Sequence, residues 1–262
     1  MIWSRPDANR VAVLALALPL ALLVPLLLAR APLQVTLPWV FGDWLVDYAG
    51  GFVRRGLSGE LVYALAAVSN GAPLQVIQAL LLGLFEVFLA FFALALWRAG
   101  DWRLTLLLGT SPLWLLVMLH YGPRKDLLLL VPLYAAVALP RSLDWLVVAL
   151  VALFPLSLLC SEANFAWTPA LIGIAWLRGS GGRPLLLWLA SASVAVFAAC
   201  LYWRGDPATS AAICASALLH GIPPDVCVGA ISAIGANAAS FTHQISWQPW
   251  GSTLTMQLLG YD

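Results

Sequence analysis

Charged residues are scarce in this sequence. Only 10% of the 262 residues are Asp, Glu, Lys or Arg, whereas 62% are hydrophobic. A typical soluble domain is about 25% charged and roughly 45–50% apolar. A chain with so little charge cannot cover a water-exposed surface, so the composition predicts that lipid is its solvent.

Several signatures of chemistry are absent as well. The chain has no GxxxxGK[ST] phosphate loop, no HExxH zinc motif, no GxSxG nucleophile motif and no CxxC pair. These absences argue against an ATP-driven transporter and against the motif-marked hydrolases. The formal net charge of +1 gives no basic footprint of the kind that nucleic-acid-binding proteins carry.

Long apolar runs are abundant, and a run of about 17–25 apolar residues crosses the bilayer core as a helix. The first run exceeds the length of a signal peptide's apolar region, so it is interpreted as an uncleaved span. The sequence predicts an all-α polytopic transmembrane helix bundle of about seven spans. The predicted spans are Val11–Ala29, Leu74–Trp97, Leu104–Leu119, Leu127–Leu139, Leu143–Cys160, Phe165–Leu177 and Pro184–Trp203.

The domain organisation follows from these spans. Residues 1–203 form the bundle with a first outer loop at 30–73, and residues 204–262 form an outer-face region of short surface helices. Interfacial helices are expected in both of these polar regions. The sequence ends at Asp262 without an obvious final span, which leaves open that it is a fragment of a longer protein. Cys214 and Cys227 in the outer region are predicted to form a disulfide, because disulfides persist on an oxidising face; the alternative is a pair of buried free thiols.

Basic residues favour a topology with a cytoplasmic N-terminus in a bacterial inner membrane. On the inner face they stand singly in short turns, whereas most of those on the outer face stand beside acids. The inner set is Arg5, Arg10, Arg98, Arg103, Arg141, Arg178 and Arg183, and the outer set is Arg30, Arg54, Arg55, Arg124, Lys125 and Arg204.

Three polar segments reach the outer face in this topology. In the first, Asp43 and Asp47 stand four residues apart, so on a helix they would share a face. Arg54 and Arg55 carry planar donor groups that suit phosphate. The glycines in this segment allow tight turns and close backbone approach to a ligand; they are Gly50, Gly51, Gly56 and Gly59.

The second and third polar segments add further charge. Arg124, Lys125 and Asp126 follow Pro123 at the start of a span, where a helix N-terminus attracts anions. His120 lies beside them, either in the site or packed at the interface. In the third segment, Glu162 is a second acid, a metal ligand or a helix-end residue, and Asn164 follows it.

Glu86 stands apart from these segments, inside the second span. A carboxyl at membrane depth is a functional hypothesis by default. The alternative is a protonated glutamic acid that is hydrogen-bonded to a neighbouring helix.

The layout of residues 1–203 resembles the GT-C class of membrane glycosyltransferases, with one span, a long acidic outer loop and then a bundle with polar outer loops. The string from Asp47 to Leu57 (DYAGGFVRRGL), with Arg124-Lys125-Asp126, also looks like uncharacterised bacterial multi-pass membrane proteins.

The GT-C resemblance implies a polyprenyl-phosphate-linked sugar donor on the outer face and an envelope glycan or glycolipid product. It implies that Asp47, or else Asp43, is the general base on the acceptor hydroxyl, with Glu162 as a further acid. The phosphate would be held by Arg54, Arg55, Arg124 and Lys125, with His120 and Asp126 beside them. A divalent cation, Mg or Mn, is compatible with this reading but not implied by it.

Two alternatives remain open from the sequence. A non-enzymatic membrane protein would use the same cationic face to bind or transport an anionic lipid or a solute. A structural subunit of an envelope complex would leave the same polar residues scattered over separate surfaces.

Overall fold

The structure is a computed structural model that describes residues 10–15, 17–18, 21–22, 41–99, 125 and 127–235. Within these ranges the chain forms helices joined by turns and contains no strand. The all-α class is therefore confirmed for the described part of the chain. The predicted span Leu104–Leu119 and the candidate residues His120, Arg124 and Asp126 lie outside it.

Eight helices organise the described chain. Their bounds are α1 Gly56–Ser69, α2 Pro73–Ala99, α3 Leu127–Ala138, α4 Asp144–Leu158, α5 Thr168–Arg178, α6 Gly182–Tyr202, α7 Pro207–Leu219 and α8 Ala230–Gly235. Shorter helical turns lie at Gly42–Trp44, Arg141–Leu143, Glu162–Trp167 and Pro224–Cys227. Helices α2 to α6 begin and end within a few residues of the apolar runs identified in the sequence.

Three helical stretches are long and apolar enough to cross a membrane. They are Pro73–Ala99, Arg141–Leu158 and Gly182–Tyr202, with mean hydropathies of 2.5, 1.6 and 2.1. Helix α3 is also apolar but shorter, with 12 residues, and α5 has 11 residues. These helices indicate a membrane protein.

Contacts between helix ends fix the direction of each helix. Arg98, at the end of α2, donates from Nη1 to the carbonyl oxygen of Ala138, at the end of α3, over 2.6 Å. Arg178, at the end of α5, donates from Nε to Asp144 at the start of α4 over 2.8 Å. These contacts define one end of the bundle, called here the Arg178 end.

The opposite end of the bundle is called here the Glu162 end. Lys125 precedes α3 there, and Glu162 follows α4. Helix α6 ends at the same end of the bundle, where the backbone N–H of Arg54 donates to the backbone carbonyl oxygen of Trp203 over 3.0 Å.

Basic side chains separate between the two ends as the sequence predicts. Those at the Arg178 end are Arg10, which lies 5.3 Å from the ring centre of Trp97, together with Arg98, Arg141, Arg178 and Arg183. Those at the Glu162 end are Arg54, Arg55, Lys125 and Arg204. The grouping of the described basic residues is therefore confirmed.

The C-terminal helices pack onto the first loop. Asp206 is the N-cap residue of α7, and its carboxylate accepts a hydrogen bond from the backbone N–H of Thr209 over 2.7 Å, while Pro207 is the first residue of the helix. Ile213 and Ile231 share a buried core with loop residue Val53. The Cys214–Cys227 disulfide closes this unit, which confirms the predicted pairing.

Candidate functional site

Residues from all three polar segments meet at the Glu162 end. The first segment contributes Asp43, Arg54 and Arg55, the second contributes Lys125, and the third contributes Glu162. These five residues are called here the cationic cluster. The predicted meeting of the three segments is therefore observed for the residues described in each.

Arg55 is the centre of the cationic cluster. Its Nε and Nη2 donate to the two carboxylate oxygens of Glu162 over 2.8 and 2.7 Å, and its Nη1 donates to Asp43 over 3.1 Å. Two parallel bonds to one carboxylate fix the plane of the guanidinium. Arg54 donates to the same Glu162 from Nη1 over 3.3 Å.

The backbone at Arg55 is left-handed, with φ of 67°. A non-glycine residue pays about 1–3 kcal/mol for such a conformation, and such outliers cluster at functional sites. Arg55 directly precedes the first residue of α1. The fold thus accepts backbone strain at the residue that joins both carboxylates of the cluster.

Lys125 is almost completely buried, with 3% of its surface exposed. Its ammonium donates to the backbone carbonyls of Asp43 and Cys160 and lies 3.2 Å from an Asp43 carboxylate oxygen. It also lies 5.8 Å from the ring centre of Trp44, which is within range of a cation–π interaction. Lys125 therefore ties the first loop to the end of α4.

The described cluster contains three cationic side chains and two carboxylates. Burial lowers the pKa of Lys125, and the Asp43 carboxylate offsets this only in part. Burial likewise lowers the pKa of Arg54 despite the attraction of Glu162. A further anion close to these groups would stabilise their charged forms.

For the pKa values of Glu162 and Arg55, attraction between opposite charges outweighs burial, whereas burial dominates for Lys125 and Arg54. Burial raises the pKa of Glu162, but hydrogen bonds and attraction from Arg55 and Arg54 outweigh it and hold the pKa below its usual range. Burial lowers the pKa of Arg55, yet its carboxylate partners raise the net value. Both groups are therefore charged at neutral pH.

Asp47 lies in a different environment from Asp43. Its carboxylate accepts hydrogen bonds from the Ser216 hydroxyl over 2.6 Å and from the Ala49 N–H over 3.1 Å. The shared helical face expected for Asp43 and Asp47 is wrong, because the helical turn Gly42–Trp44 ends before Asp47. Asp43 joins the cationic cluster, whereas Asp47 joins the first loop to α7.

Burial raises the pKa of Asp47, which is 3% exposed, and its two hydrogen-bond donors offset this only in part. Glu60 also raises the pKa through repulsion. An acid with a raised pKa is the type of group that general-base catalysis uses near neutral pH.

Glycines in the first segment allow close contact within the protein itself. A Cβ on Gly56 would lie 2.1 Å from the Tyr48 ring, and one on Gly59 would lie 2.2 Å from the Val46 carbonyl oxygen. The expectation of close approach to a ligand is therefore replaced, at these two positions, by tight packing of the loop against α1.

Ser216 is the residue that sequence reasoning missed. Ser216 lies in α7, 169 positions after Asp47 in the sequence. A single serine in an apolar helix gives no signal that it hydrogen-bonds to Asp47. The related sequence signal is the predicted Cys214–Cys227 disulfide, because it indicates that the segment containing Ser216 is held in a fixed conformation.

Glu86 and a metal site are two further hypotheses from the sequence. Glu86 is half-buried on α2 and has no hydrogen bond or ion pair with any described residue. No group of three His, Cys, Asp or Glu side chains within the described ranges is arranged to hold a metal ion. The carboxylates of the cluster are engaged by cationic side chains.

No family model, curated protein or solved structure matches this chain.

Proposed function

We propose that this protein is a membrane glycosyltransferase that takes a sugar from a polyprenyl phosphate on the outer face of a bacterial inner membrane. The product is an envelope glycan or glycolipid. The chain crosses the membrane about seven times with a cytoplasmic N-terminus, and the Glu162 end faces outward.

The observation that carries this proposal is the cationic cluster. Arg54, Arg55 and Lys125 come from segments separated by about seventy residues of sequence, yet they converge on two carboxylates beside helices that suit a membrane. Cationic side chains in low-dielectric surroundings favour an anionic partner, because charges attract each other more strongly there than in water. A lipid phosphate supplies that charge at this depth.

Each cation has a chemical role in the proposed transfer. The bond between the sugar's anomeric carbon and the phosphate oxygen breaks, and a bond to the acceptor oxygen forms. Arg55, Arg54 and Lys125 stabilise the negative charge that builds on the departing phosphate. Glu162 holds the two guanidinium groups in position. Arg124, His120 and Asp126 belong to the same proposal but lie outside the described residues.

Asp47 is the first candidate for the base that accepts the acceptor's proton. Its raised pKa makes it a stronger base than an ordinary aspartate. Asp43 is the second candidate, because it lies within the cluster. Its ion pairs with Arg55 and Lys125 favour the carboxylate form and weaken it as a base.

The test is a reconstitution that measures sugar transfer and polyprenyl-phosphate binding separately. We expect Arg55→Gln to weaken binding by about tenfold or more, because it removes a charge-assisted contact worth roughly 1.5–3 kcal/mol. Asp47→Asn should lower transfer much more than binding. Arg141→Gln, an exposed arginine at the other end, is the control and should change neither.

Two results would redirect the proposal. Transfer at the parent rate by Asp47→Asn would make Asp43 the base, with Asp43→Asn as the next variant. Unchanged binding in Arg55→Gln would remove the cluster from the site.

A non-enzymatic anionic-lipid binding or transport protein is the second candidate. The observation that favours it is that Glu162 and Asp43 are both ion-paired, as they would be in a site that only binds. In that case Arg55→Gln would lose lipid binding, and neither Asp47→Asn nor Asp43→Asn would have any transfer to lose.

The proposed topology has its own test. Leu219→Cys and Arg183→Cys lie at opposite ends and are exposed, whereas native Cys160 and Cys200 are buried. In intact cells, a membrane-impermeant thiol reagent should label Leu219→Cys and spare Arg183→Cys. The reverse pattern would place the cationic cluster in the cytoplasm.

A further inference from the structure

An apolar groove of about 400 Å³ lies beside the cationic cluster. Four helices line it, through residues that include Leu57 and Leu61 of α1, Leu84 of α2, Leu128 of α3 and Leu153 of α4. Almost every side chain in its lining is aliphatic or aromatic. Such a surface suits a hydrocarbon chain and not a sugar.

One end of the groove adjoins residues that contact or neighbour the cationic cluster. Cys160 lines it, and the carbonyl oxygen of Cys160 accepts a hydrogen bond from the Lys125 ammonium over 2.9 Å. Leu57 also lines it and stands two positions after Arg55. The groove therefore ends at the cluster, and a ligand that fills it would have its head beside two cations.

Ser157 gives an independent sign of a missing polar partner at this end. It lines the groove, is 9% exposed, and its buried hydroxyl has no hydrogen-bond partner among the described residues. A buried hydroxyl that makes no hydrogen bond destabilises the protein, and a hydrogen bond to a ligand oxygen would remove this penalty.

The side of the groove is open along α1 and α4. Leu61 and Leu153, which line it, are 49% and 58% exposed, and Leu156 is 49% exposed. Helix α4 belongs to a stretch that suits a membrane span. A lipid can therefore enter from the bilayer without passing through water.

We propose that this groove holds the isoprenoid chain of a polyprenyl phosphate, which enters sideways from the bilayer and places its phosphate at the cationic cluster. The proposal rests on the proposed function for the identity of the lipid. Charge complementarity at one end and apolar lining along the rest select an anionic lipid as the occupant.

The first experiment fills the groove. Leu153→Trp adds bulk at a groove-lining, half-exposed position, and Leu187→Trp adds the same bulk on α6, where Leu187 is 70% exposed and outside the lining. Binding of a long-chain polyprenyl phosphate and of dimethylallyl phosphate, a single isoprene unit, is measured in detergent. The second ligand reports on the phosphate site alone.

We expect Leu153→Trp to weaken long-chain binding by about tenfold, the loss of roughly two buried methylene groups, without changing dimethylallyl phosphate binding. Leu187→Trp should change neither. Unchanged long-chain binding in Leu153→Trp would overturn the groove assignment, even with Arg55→Gln still showing that the phosphate site exists. Equal losses for both ligands would also overturn it. Absence of binding of either phosphate to the parent protein would instead remove the proposed function.

The second experiment needs no variant. A polyprenyl phosphate with a photoreactive group on its chain is cross-linked to the parent protein, and the labelled peptides are mapped. Label on residues 57–61 or 150–160 is expected, and label confined to residues 183–202 would overturn the proposal. Full competition by a diacyl phosphatidic acid at equal concentration would assign the groove to phospholipid chains and overturn the isoprenoid assignment.

Discussion

The two ends of the bundle each hold a buried arginine network, and the networks differ in what they leave for a ligand. At the Arg178 end, Arg178 donates to Asp144 and to the carbonyl oxygens of Ala136, Leu139 and Pro140, over 2.7–3.1 Å. Those carbonyls lie at the C-terminal end of α3, where the last carbonyl oxygens of a helix have no hydrogen-bond donor within the helix. One cation thus closes one helix end and pairs with one acid.

The cationic cluster at the Glu162 end has a different composition. Its three cationic side chains face two carboxylates, and one of them, Arg55, keeps a strained backbone. Closing helix ends does not require three cations in one place. The comparison teaches that an arginine network can be purely structural, and that cationic side chains from separate segments converging beside a strained backbone are the better indicator of a ligand site.

Glu162→Gln should have the largest effect on stability. It removes one of the two carboxylates of the cluster and leaves buried Arg54 and half-buried Arg55 without that partner. Breaking a buried ion pair in this way costs about 3–5 kcal/mol. Thermal unfolding in detergent would show a large drop in Tm, whereas Glu60→Gln, at an exposed carboxylate, would cause a small one.

The same variant can break the comparison. If the cluster binds phosphate, a saturating polyprenyl phosphate should raise the Tm of Glu162→Gln, because the added anion replaces the lost carboxylate. A drop no larger than that of Glu60→Gln would mean that Glu162 does not hold the cluster together.

Arg178→Gln should have the next largest effect on stability. It removes hydrogen bonds to three backbone carbonyls and the ion pair with Asp144, each worth about 0.5–1 kcal/mol at this partly exposed position and roughly 2–4 kcal/mol together. Polyprenyl-phosphate binding should be unchanged after correction for the folded fraction. A loss of binding as large as that of Arg55→Gln would erase the distinction between the two networks.

Asp47→Asn should have the smallest effect on stability, and its sign depends on pH. Because the folded pKa of Asp47 lies above its ordinary value of 3.8, ionising the group costs more in the folded state. The stability of the parent protein therefore falls as pH rises through the interval between these two values. An asparagine at position 47 does not ionise, so the folded variant has no cost of burying a charge there, and its side-chain oxygen can still accept the hydrogen bond from Ser216.

The measurement is the difference in Tm between Asp47→Asn and the parent from pH 3.5 to pH 7. We expect the Tm of the variant to increase relative to that of the parent as pH rises through this interval. A difference that stays constant with pH would show that Asp47 has an ordinary pKa and would weaken its assignment as the base.

The helices could be predicted from sequence because apolar length decides them. The run Leu74–Trp97 became helix Pro73–Ala99 almost residue for residue. The convergence of Arg55, Lys125 and Glu162 followed from the same reasoning, because alternating spans bring every second loop to one end.

The division between Asp43 and Asp47 could not be predicted. It depends on where a three-residue helical turn ends and on a serine in α7, and neither leaves a pattern in the sequence. The groove was equally hidden, since its lining comes from four helices whose leucines look the same as any lipid-facing leucine.

The most direct test of the central claim compares polyprenyl-phosphate binding by Arg55→Gln and Arg178→Gln in the same detergent. Both variants remove one partly buried guanidinium that is paired with an aspartate, but at opposite ends of the bundle. We expect Arg55→Gln to bind about tenfold more weakly than the parent protein and Arg178→Gln to bind as the parent does. Equal affinity in the two variants would contradict the account, because the cationic cluster would then be no more of a ligand site than the network at the Arg178 end.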